Sequence, residues 1–276
     1  RFARAVSELQ KAPTVNDVNR FLWSRRLFRA VEGLQSPKPA DFEIAPTPKT
    51  SSATRARRVA ESEEEAWGLN SPISAFSGTS AESTESGSKP KRPELPHLSD
   101  EDLALLARGE RVQRQMRDGR VGTGMVVLDV EADIPLVFAV LTDIDRYPER
   151  ISTVREAITY QTGERLRKTQ FQISKFRLKI NTELRCRQES NMLEFTVDPE
   201  RPAPFLEDAT GFWYLEDVSE GGATKTRVWL VAGIACSALL PTPIVDYAAS
   251  KALPRATTWV KPVMEELYKE LRELDV

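Results

Sequence analysis

The side chains that most often carry out chemistry are sparse in this sequence. The single histidine, His97, lies between Pro96 and Leu98, outside the part of the chain with regular apolar patterns. This placement excludes histidine-based catalytic triads and imidazole metal sites. The two cysteines, Cys186 and Cys236, lie in strongly apolar segments. Such positions favour neutral, buried thiols over a nucleophile, a disulfide framework or a metal site.

Two further patterns resemble a metal or acid-base site and a phosphate-binding loop. Asp143 and Asp145 form an Asp-Ile-Asp pair that could bind a metal or act as acid and base. Such residues more often cap a short helix and face water, and we expect that role here. Gly122 and Gly124 are too few for a phosphate-binding loop. The sequence therefore predicts no metal site and no cofactor.

Composition limits the class of protein. The chain has 276 residues, of which 40% are hydrophobic, which is enough for one sizeable core. Its 39 basic and 41 acidic residues give a net charge of −2. This near balance argues against a nucleic-acid partner. The longest nearly unbroken apolar run, Val228 to Leu240, is shorter than the ~20 residues of a membrane-spanning helix, so we expect a soluble protein.

Three regions follow from the patterning. Residues 1–36 contain a predicted basic amphipathic helix, Asp17 to Leu34, suited to a surface or a protein partner. Residues 37–98 are rich in Ser, Pro and Glu and predict a disordered linker, either a plain tether or a target of phosphorylation. Residues 99–276 carry the periodic patterns of a folded domain. Because the chain starts at Arg1, we expect a fragment or a processed form.

The folded region changes its periodicity along the chain. Ser99 and Asp102 have the spacing of a capping box, and a short helix is predicted to about Arg108. A strand over Val121 to Glu131 is followed by a short helix capped by Asp133 and a second helical turn. Strands are then predicted over residues 154–160, 165–174, 176–187, 192–197, 211–216 and 224–236. A long helix is predicted over 244–274, bent or divided at Pro254 and Pro262.

This order predicts an α+β helix-grip fold, a curved antiparallel sheet of about seven strands wrapped around a long C-terminal helix. The segments that carry a family resemblance are VVLDVEADIPLVFAVLTDIDRYPERISTV, GFWYLEDV, TKTRVWLVAGIAC and SALLPTPIVDYAASKALPRATTWVKPV. Over residues 121 to about 272 the chain resembles the START-like (SRPBCC) superfamily, and within it the polyketide cyclase/dehydrase and coenzyme-Q-binding START-like group. The resemblance implies this fold and a hydrophobic ligand.

A sheet that grips a helix through small residues leaves either an interior cavity or a close helix-sheet contact. The small residues here are the helix segment AASKA, Ala232 and Gly233, and the resemblance favours the cavity. Its predicted lining is apolar: Leu178, Ile180, Trp213, Leu215, Leu230, Ile234 and Trp259. Tyr147 and Tyr247 are predicted at the entrance.

The predicted function is non-catalytic binding and transfer or presentation of a lipid or isoprenoid quinone. The resemblance also implies an alternative, a polyketide cyclase, aromatase or dehydratase. Its donors and bases would come from Tyr147, Tyr214, Tyr247, Asp198 and Arg227, but each has an ordinary structural role and no spacing makes them converge. The third hypothesis is an adaptor with a vestigial cavity.

Further expectations concern partners and place. We expect transient membrane contact and a protein partner for the N-terminal segment. Resemblance to plant and algal members, with the basic, serine-bearing N-terminal part, favours an organelle, plastid or mitochondrion, over the cytoplasm.

Overall fold

A computed structural model describes residues 92–173 and 177–273. The predicted N-terminal helix and nearly all of the predicted linker lie outside these residues. Residues 92–98 are described, and they form no helix or strand. Leu95 and Leu98 pack against the folded part, and Arg92 pairs with Glu216, its Nη2 lying 2.8 Å from the carboxylate. The last residues of the predicted linker are therefore attached to the domain.

The described residues form one antiparallel sheet of eight strands in the order β1-β2-β8-β7-β6-β5-β4-β3. The strands are β1 Val112–Asp118, β2 Val121–Val130, β3 Val154–Thr162, β4 Leu166–Ile173, β5 Leu178–Arg187, β6 Met192–Val197, β7 Leu206–Asp217 and β8 Thr226–Cys236. Strands that follow one another along the chain pair directly, except β2 and β3. β2 pairs with β1 and β8, and β3 lies at the opposite edge of the sheet. This arrangement confirms the predicted curved antiparallel sheet.

The sequence did not predict β1. Its residues, VQRQMRD, are mostly polar because the strand lies at the edge of the sheet and only Val112 is buried. Apolar alternation, the main sign of a strand, is therefore weak in it. The strand pairs with β2 through a tight turn at Gly119 and Arg120, where Gly119 has a φ of 55° that glycine adopts readily.

Three helices precede the second half of the sheet: α1 Asp100–Ala107, α2 Ile134–Thr142 and α3 Tyr147–Arg150, the last preceded by a 3₁₀ turn over Ile144–Arg146. The predicted capping box is confirmed, since the Asp102 N–H donates to Ser99 Oγ and the Ser99 N–H donates to the Asp102 carboxylate. The predicted cap of α2 is also confirmed, with the Leu136 N–H 3.0 Å from Asp133 Oδ1.

The C-terminal region consists of two helices, α4 Thr242–Thr257 and α5 Val260–Glu273, as the two internal prolines predicted. Pro262 falls in the first turn of α5, where a missing N–H costs no helical hydrogen bond. Pro254 lies inside α4, near its end. The Thr258 N–H still bonds to the Pro254 carbonyl, 3.1 Å away, before the chain turns into α5.

The sheet has an inner face, directed toward α2, α4 and α5, and an outer face, which α1 covers in part. On the inner face Val126, Leu128 and Val130 of β2 join the main core with Val260 and Met264 of α5. Alternate residues of β2 and β8 point outward and form a second cluster with one residue of α1 and one of β1. Its members are Leu106, Val112, Met125, Val127, Trp229 and Val231. The period of two along each strand therefore separates two cores.

Candidate functional site

One half of the inner face is closely packed. In β7 and β8, Trp213, Leu215, Val228 and Leu230 are all at most 6% exposed. They pack in one cluster with α2, α5 and Trp259, which lies between α4 and α5. We call this fully buried set the closed half.

The other half of the inner face is accessible to solvent. Ile234 has the same parity in β8 as Val228 and Leu230, yet 36% of it is exposed. β8 is paired on both sides, with β2 and β7, so this exposure does not come from a sheet edge. Leu178 and Ile180 of β5 have the same inward parity as Leu184 and are only half-buried. We call the region around Ile234, Ala232, Phe195, Leu178 and Ile180 the open half.

The floor of the open half is built of very small residues. Gly122 and Gly124 of β2 pair with Ile234 and Ala232 of β8, and Gly211 of β7 pairs with Ala232 from the other side. A Cβ at Gly124 would lie 2.8 Å from Cδ2 of Leu253 in α4. Close approach of α4 to the sheet at this point therefore depends on glycine.

Gly211 accommodates a ring from the neighbouring strand. A Cβ there would lie 2.5 Å from Cζ of Phe195 and 2.4 Å from the Val231 carbonyl oxygen. A Cβ at Gly122 would meet Ile234 Cγ2 at 3.5 Å, an ordinary contact. Phe195 and Leu253 thus occupy the space above two of the glycines, on either side of Ala232, while Ile234, two residues further along β8, stays exposed. Close packing is therefore seen at Gly124 and Gly211. Of the small residues named from the sequence, Ala232 has the inward parity of Leu230, Gly233 has the outward parity of Val231, and the side chains of residues 248–251 lie outside the described residues. A cavity beside them stays a prediction.

Two loops close one end of the open half. The Ser237 N–H donates to the Phe205 carbonyl at 3.0 Å, and Ser237 Oγ donates to the Pro204 carbonyl at 2.8 Å. Beside these bonds a small apolar cluster is formed by Cys236, Leu240 and Val245. Leu178, Phe205 and Ile244 pack against it. The loop before β7 and the loop before α4 are therefore held together where the open half ends.

The predicted lining residues divide between the two halves. Ile234, Leu178 and Ile180 lie in the open half, and Trp213, Leu215, Leu230 and Trp259 lie in the closed half. Tyr147 is 8% exposed, and its hydroxyl donates to the Leu141 carbonyl at 2.7 Å within the core. Tyr247 lies in α4, and its side chain is outside the described residues. Contact between a ligand and any of these predicted lining or entrance residues stays a prediction.

The end of α2 corrects one expectation. Asp145 is exposed as expected, but Asp143 is buried and pairs with Arg150 at 3.1 Å rather than facing water. Burial raises the pKa of Asp143, although Arg150 and Arg146 oppose that shift. Arg150 also donates to the Val140 carbonyl at 2.9 Å. The helix ends without a glycine, and the Arg150 guanidinium satisfies carbonyl groups that the helix leaves unpaired.

Sequence reasoning missed an inner-facing charge. Arg167 is 9% exposed and shares the inner parity of β4 with Phe171, while its Nη1 donates to the Thr142 carbonyl at 3.4 Å. The parity of β4 was the available signal, because Phe171 and Arg167 are four residues apart. Near it, burial raises the pKa of the Cys186 thiol to about 11 despite the guanidinium. That thiol is neutral at physiological pH, as predicted.

Three proposed donors and bases lie on the outer face. Arg227 pairs with Asp129 there, at 2.8 Å. Tyr214 packs against the outer cluster. Asp198 follows β6 and accepts hydrogen bonds from Tyr160 at 2.6 Å and Lys168 at 3.1 Å. Asp198, Tyr214 and Arg227 therefore do not converge on the inner face.

Asp198 belongs to a compact polar cluster that the sequence did not reveal. Lys168 contacts Asp198, Glu183 and Glu200 at 2.7 to 3.1 Å. Burial alone would raise the pKa of Asp198, but hydrogen bonds from Tyr160, the Glu200 N–H and Lys168 outweigh it and lower that pKa. The cluster fixes the start of the loop that reaches the end of the open half.

The described residues offer neither a metal-binding group of side chains nor a helix suited to cross a membrane. No group of three or more His, Cys, Asp or Glu side chains in residues 92–173 and 177–273 is arranged to hold a metal ion. None of the helices described there is both long enough and apolar enough to cross a bilayer.

Comparison with known proteins found neither a matching family model nor a matching curated protein. Solved structures do match. The Zhui aromatase/cyclase of a Streptomyces species is 12% identical, with a TM-score of 0.42, over 60% of this chain and 97% of that one. A START superfamily protein of Mycobacterium smegmatis is 10% identical, with a TM-score of 0.40, over 57% and 98%. A protein of Thermus thermophilus is 13% identical, with a TM-score of 0.41, over 58% and 97%.

None of these matches distinguishes the coenzyme-Q-binding group. The fold itself is clear from the chain's own geometry. The strands follow the predicted order, the sheet is antiparallel throughout, and the C-terminal helices lie against its inner face. The described domain therefore has the predicted helix-grip fold.

Proposed function

We propose that this domain binds a hydrophobic small molecule, a lipid or isoprenoid quinone, in the open half and carries or presents it unchanged. The observation that carries the proposal is the 36% exposure of Ile234 on the inner face of a strand paired on both sides. Apolar surface left in contact with water is unfavourable by about 25 cal/mol per Å², and an apolar ligand that covers it recovers this free energy.

The surroundings of Ile234 suit such a ligand. Phe195, Leu178 and Ile180 are apolar and half-buried, so they can contact a ligand and still pack against the core. Ala232 and Gly122, the small residues next to Ile234 that no large side chain covers closely, add little bulk above the sheet. Asp198, Tyr214 and Arg227 lie on the other face, and this supports binding over cyclase chemistry by those groups.

The test is native mass spectrometry with lipid extraction on the full chain purified from its own source. We expect a lipid or quinone at about one per chain. Ile234→Trp fills the open half with an indole ring that takes the space of the ligand. Overpacking of this kind costs about 1–3 kcal/mol, so uptake should fall about ten-fold. Ile158→Trp is the matched control, because Ile158 is 47% exposed on the outer face and should leave uptake unchanged.

The outcomes separate the hypotheses. A co-purified molecule recovered with unchanged mass supports carriage, and conversion to a product lighter by one water would instead indicate a cyclase or dehydratase. Protein that is repeatedly empty, with no thermal shift on adding lipids or quinones, would indicate the adaptor. Equal uptake by the Ile234 and Ile158 variants would reject the open half as the site.

A ligand of this kind has low solubility and is exchanged where it is stored, so the proposal includes transient membrane contact. We also keep an organellar location as a proposal, which fractionation of the source cells would test. The protein partner of the N-terminal segment concerns residues outside those described.

A further inference from the structure

We propose that the loop between β8 and α4 docks the protein on a lipid bilayer, with Leu239 inserted among the lipids, beside the open half. The inference rests on the proposed function, because it assumes that a hydrophobic ligand enters and leaves there. We call residues 238–243 the apolar tip. No charged residue stands between Arg227 and Asp246, so the chain that leads into the tip and forms it carries no charge.

The exposure of the tip is unusual in extent. Leu239 is 75% exposed, more than any other large hydrophobic residue described. Ala238, Pro241, Thr242 and Pro243 around it are also exposed. A single exposed leucine is ordinary on a protein surface. An uncharged loop with a leucine at its summit is a better match to the boundary between lipid headgroups and acyl chains.

The tip is held rigidly, so the exposure of Leu239 is built into the fold. Arg120 Nη1 donates to the carbonyls of Ser237 and Leu240, at 2.8 and 2.7 Å. The Leu239 N–H donates to Ser237 Oγ at 3.3 Å. Leu240, the next residue, is 6% exposed and anchors the cluster with Cys236 and Val245. One leucine is turned inward and the other is presented to solvent.

The tip also stands where a ligand would pass. Cys236 follows Ile234 by two residues in β8, and its cluster includes Leu178 of the open half. Ser237 ties the tip to the loop containing Pro202 and Pro204, which are both exposed. Two exposed, proline-rich loops therefore lie side by side at the end of the open half.

The charges that flank the tip are of both signs. Arg177, next to Leu178, is exposed and can meet lipid phosphates. Arg201, next to Pro202, is also exposed, but its guanidinium lies 4.0 Å from the centre of the Tyr160 ring. Exposed acids are also present: Asp246 pairs with Arg117, and Glu207 follows Leu206. We therefore expect insertion of apolar side chains to supply most of the affinity and anionic lipid to strengthen it modestly.

The experiment is flotation of the full chain with vesicles of phosphatidylcholine mixed with phosphatidylglycerol. We expect the natural protein to float and Leu239→Ser to partition about ten-fold less. Leu103→Ser is the matched control, because Leu103 is 42% exposed on α1, on the outer face. It should float as the natural protein does.

A second measurement reports insertion directly. In vesicles with bromine-labelled acyl chains, Leu239→Trp should show quenching beyond that of the natural tryptophans, and Leu103→Trp should not. The docking proposal is wrong if the natural protein does not float, if Leu239→Ser floats equally well, or if both tryptophan variants are quenched alike. A concentration-dependent dimer that Leu239→Ser abolishes would assign the tip to a second copy of the chain and also overturn docking.

Native mass spectrometry of the same samples keeps the two proposals distinguishable. Ligand retained in Leu239→Ser, with flotation lost, supports both. Ligand retained in a natural protein that does not float overturns the docking proposal and leaves the proposed function standing. Flotation of a protein that never holds a ligand overturns the proposed function.

Discussion

The two halves of the inner face are made by the same strands and differ in what lies above them. In β8, Leu230 is 4% exposed and Ile234 is 36% exposed, although both point the same way. Leu230 lies beneath α2, α5 and Trp259, and Ile234 lies over a floor of glycine and alanine. One helix-grip sheet can therefore provide a rigid core and an accessible apolar surface within four residues. We therefore expect the closed half to contribute more of the stability than the open half.

The largest effect should come from truncating the closed half. Leu230→Ala leaves a cavity in a packed region and should lower the free energy of unfolding by about 2–5 kcal/mol. Ile234→Ala removes a side chain that water already reaches and should cost about 1 kcal/mol or less. Urea unfolding of both variants measures the difference. Equal losses would show that the two halves are packed alike.

An intermediate effect is expected from the floor. Gly211→Ala places a Cβ against the Val231 carbonyl and the Phe195 ring and should destabilise by about 1–3 kcal/mol. Gly122→Ala is the matched variant, since its Cβ would meet only ordinary contacts, and its stability should stay within about 0.5 kcal/mol. Thermal unfolding compares them. If Gly211→Ala leaves the stability unchanged, the backbone of the sheet and the Phe195 ring can shift at this point at little cost.

The smallest effect concerns the polar cluster on the outer face. Tyr160→Phe removes the hydrogen bond to Asp198 and should cost about 1–2 kcal/mol near neutral pH. Burial and this hydrogen bond raise the pKa of Tyr160 to about 12, from 10.0. A raised pKa gives stability that is present below pH 10 and is lost as the pH rises toward 12. The difference between the two proteins should be constant from pH 7 to 9 and shrink above 10.

Acid provides the opposite test of the same cluster. The pKa of Asp198 is lowered, so its contribution is present above pH 3.8 and disappears as the pH falls through the lower folded value. Unfolding curves across both ranges check the signs. The natural protein and Tyr160→Phe should therefore differ less in unfolding free energy at both pH extremes. If the difference stays constant, the bond between Tyr160 and Asp198 does not contribute to stability.

The sequence alone determined much of this protein. Alternation over residues 176–187 predicted which side chains of β5 face inward, because side chains in a strand alternate strictly. Ser99, Asp102 and Asp133 predicted two helix starts, because caps act over three residues. The order of elements predicted the helix-grip fold. These features depend on neighbours along the chain.

Tertiary structure decided the rest. Nothing local distinguishes Leu230 from Ile234, since their exposure depends on α4 and α5, which follow the strand. Asp143 is buried because Arg150 folds back onto the end of α2, and Asp198 is buried because Lys168 and Tyr160 come from strands that precede it. Leu239 and Leu240 are identical in type, but hydrogen bonds of this loop with Arg120 and Ser237 hold Leu239 outward and Leu240 inward. The local pattern sets the direction of a side chain, and contacts distant in sequence set what covers it.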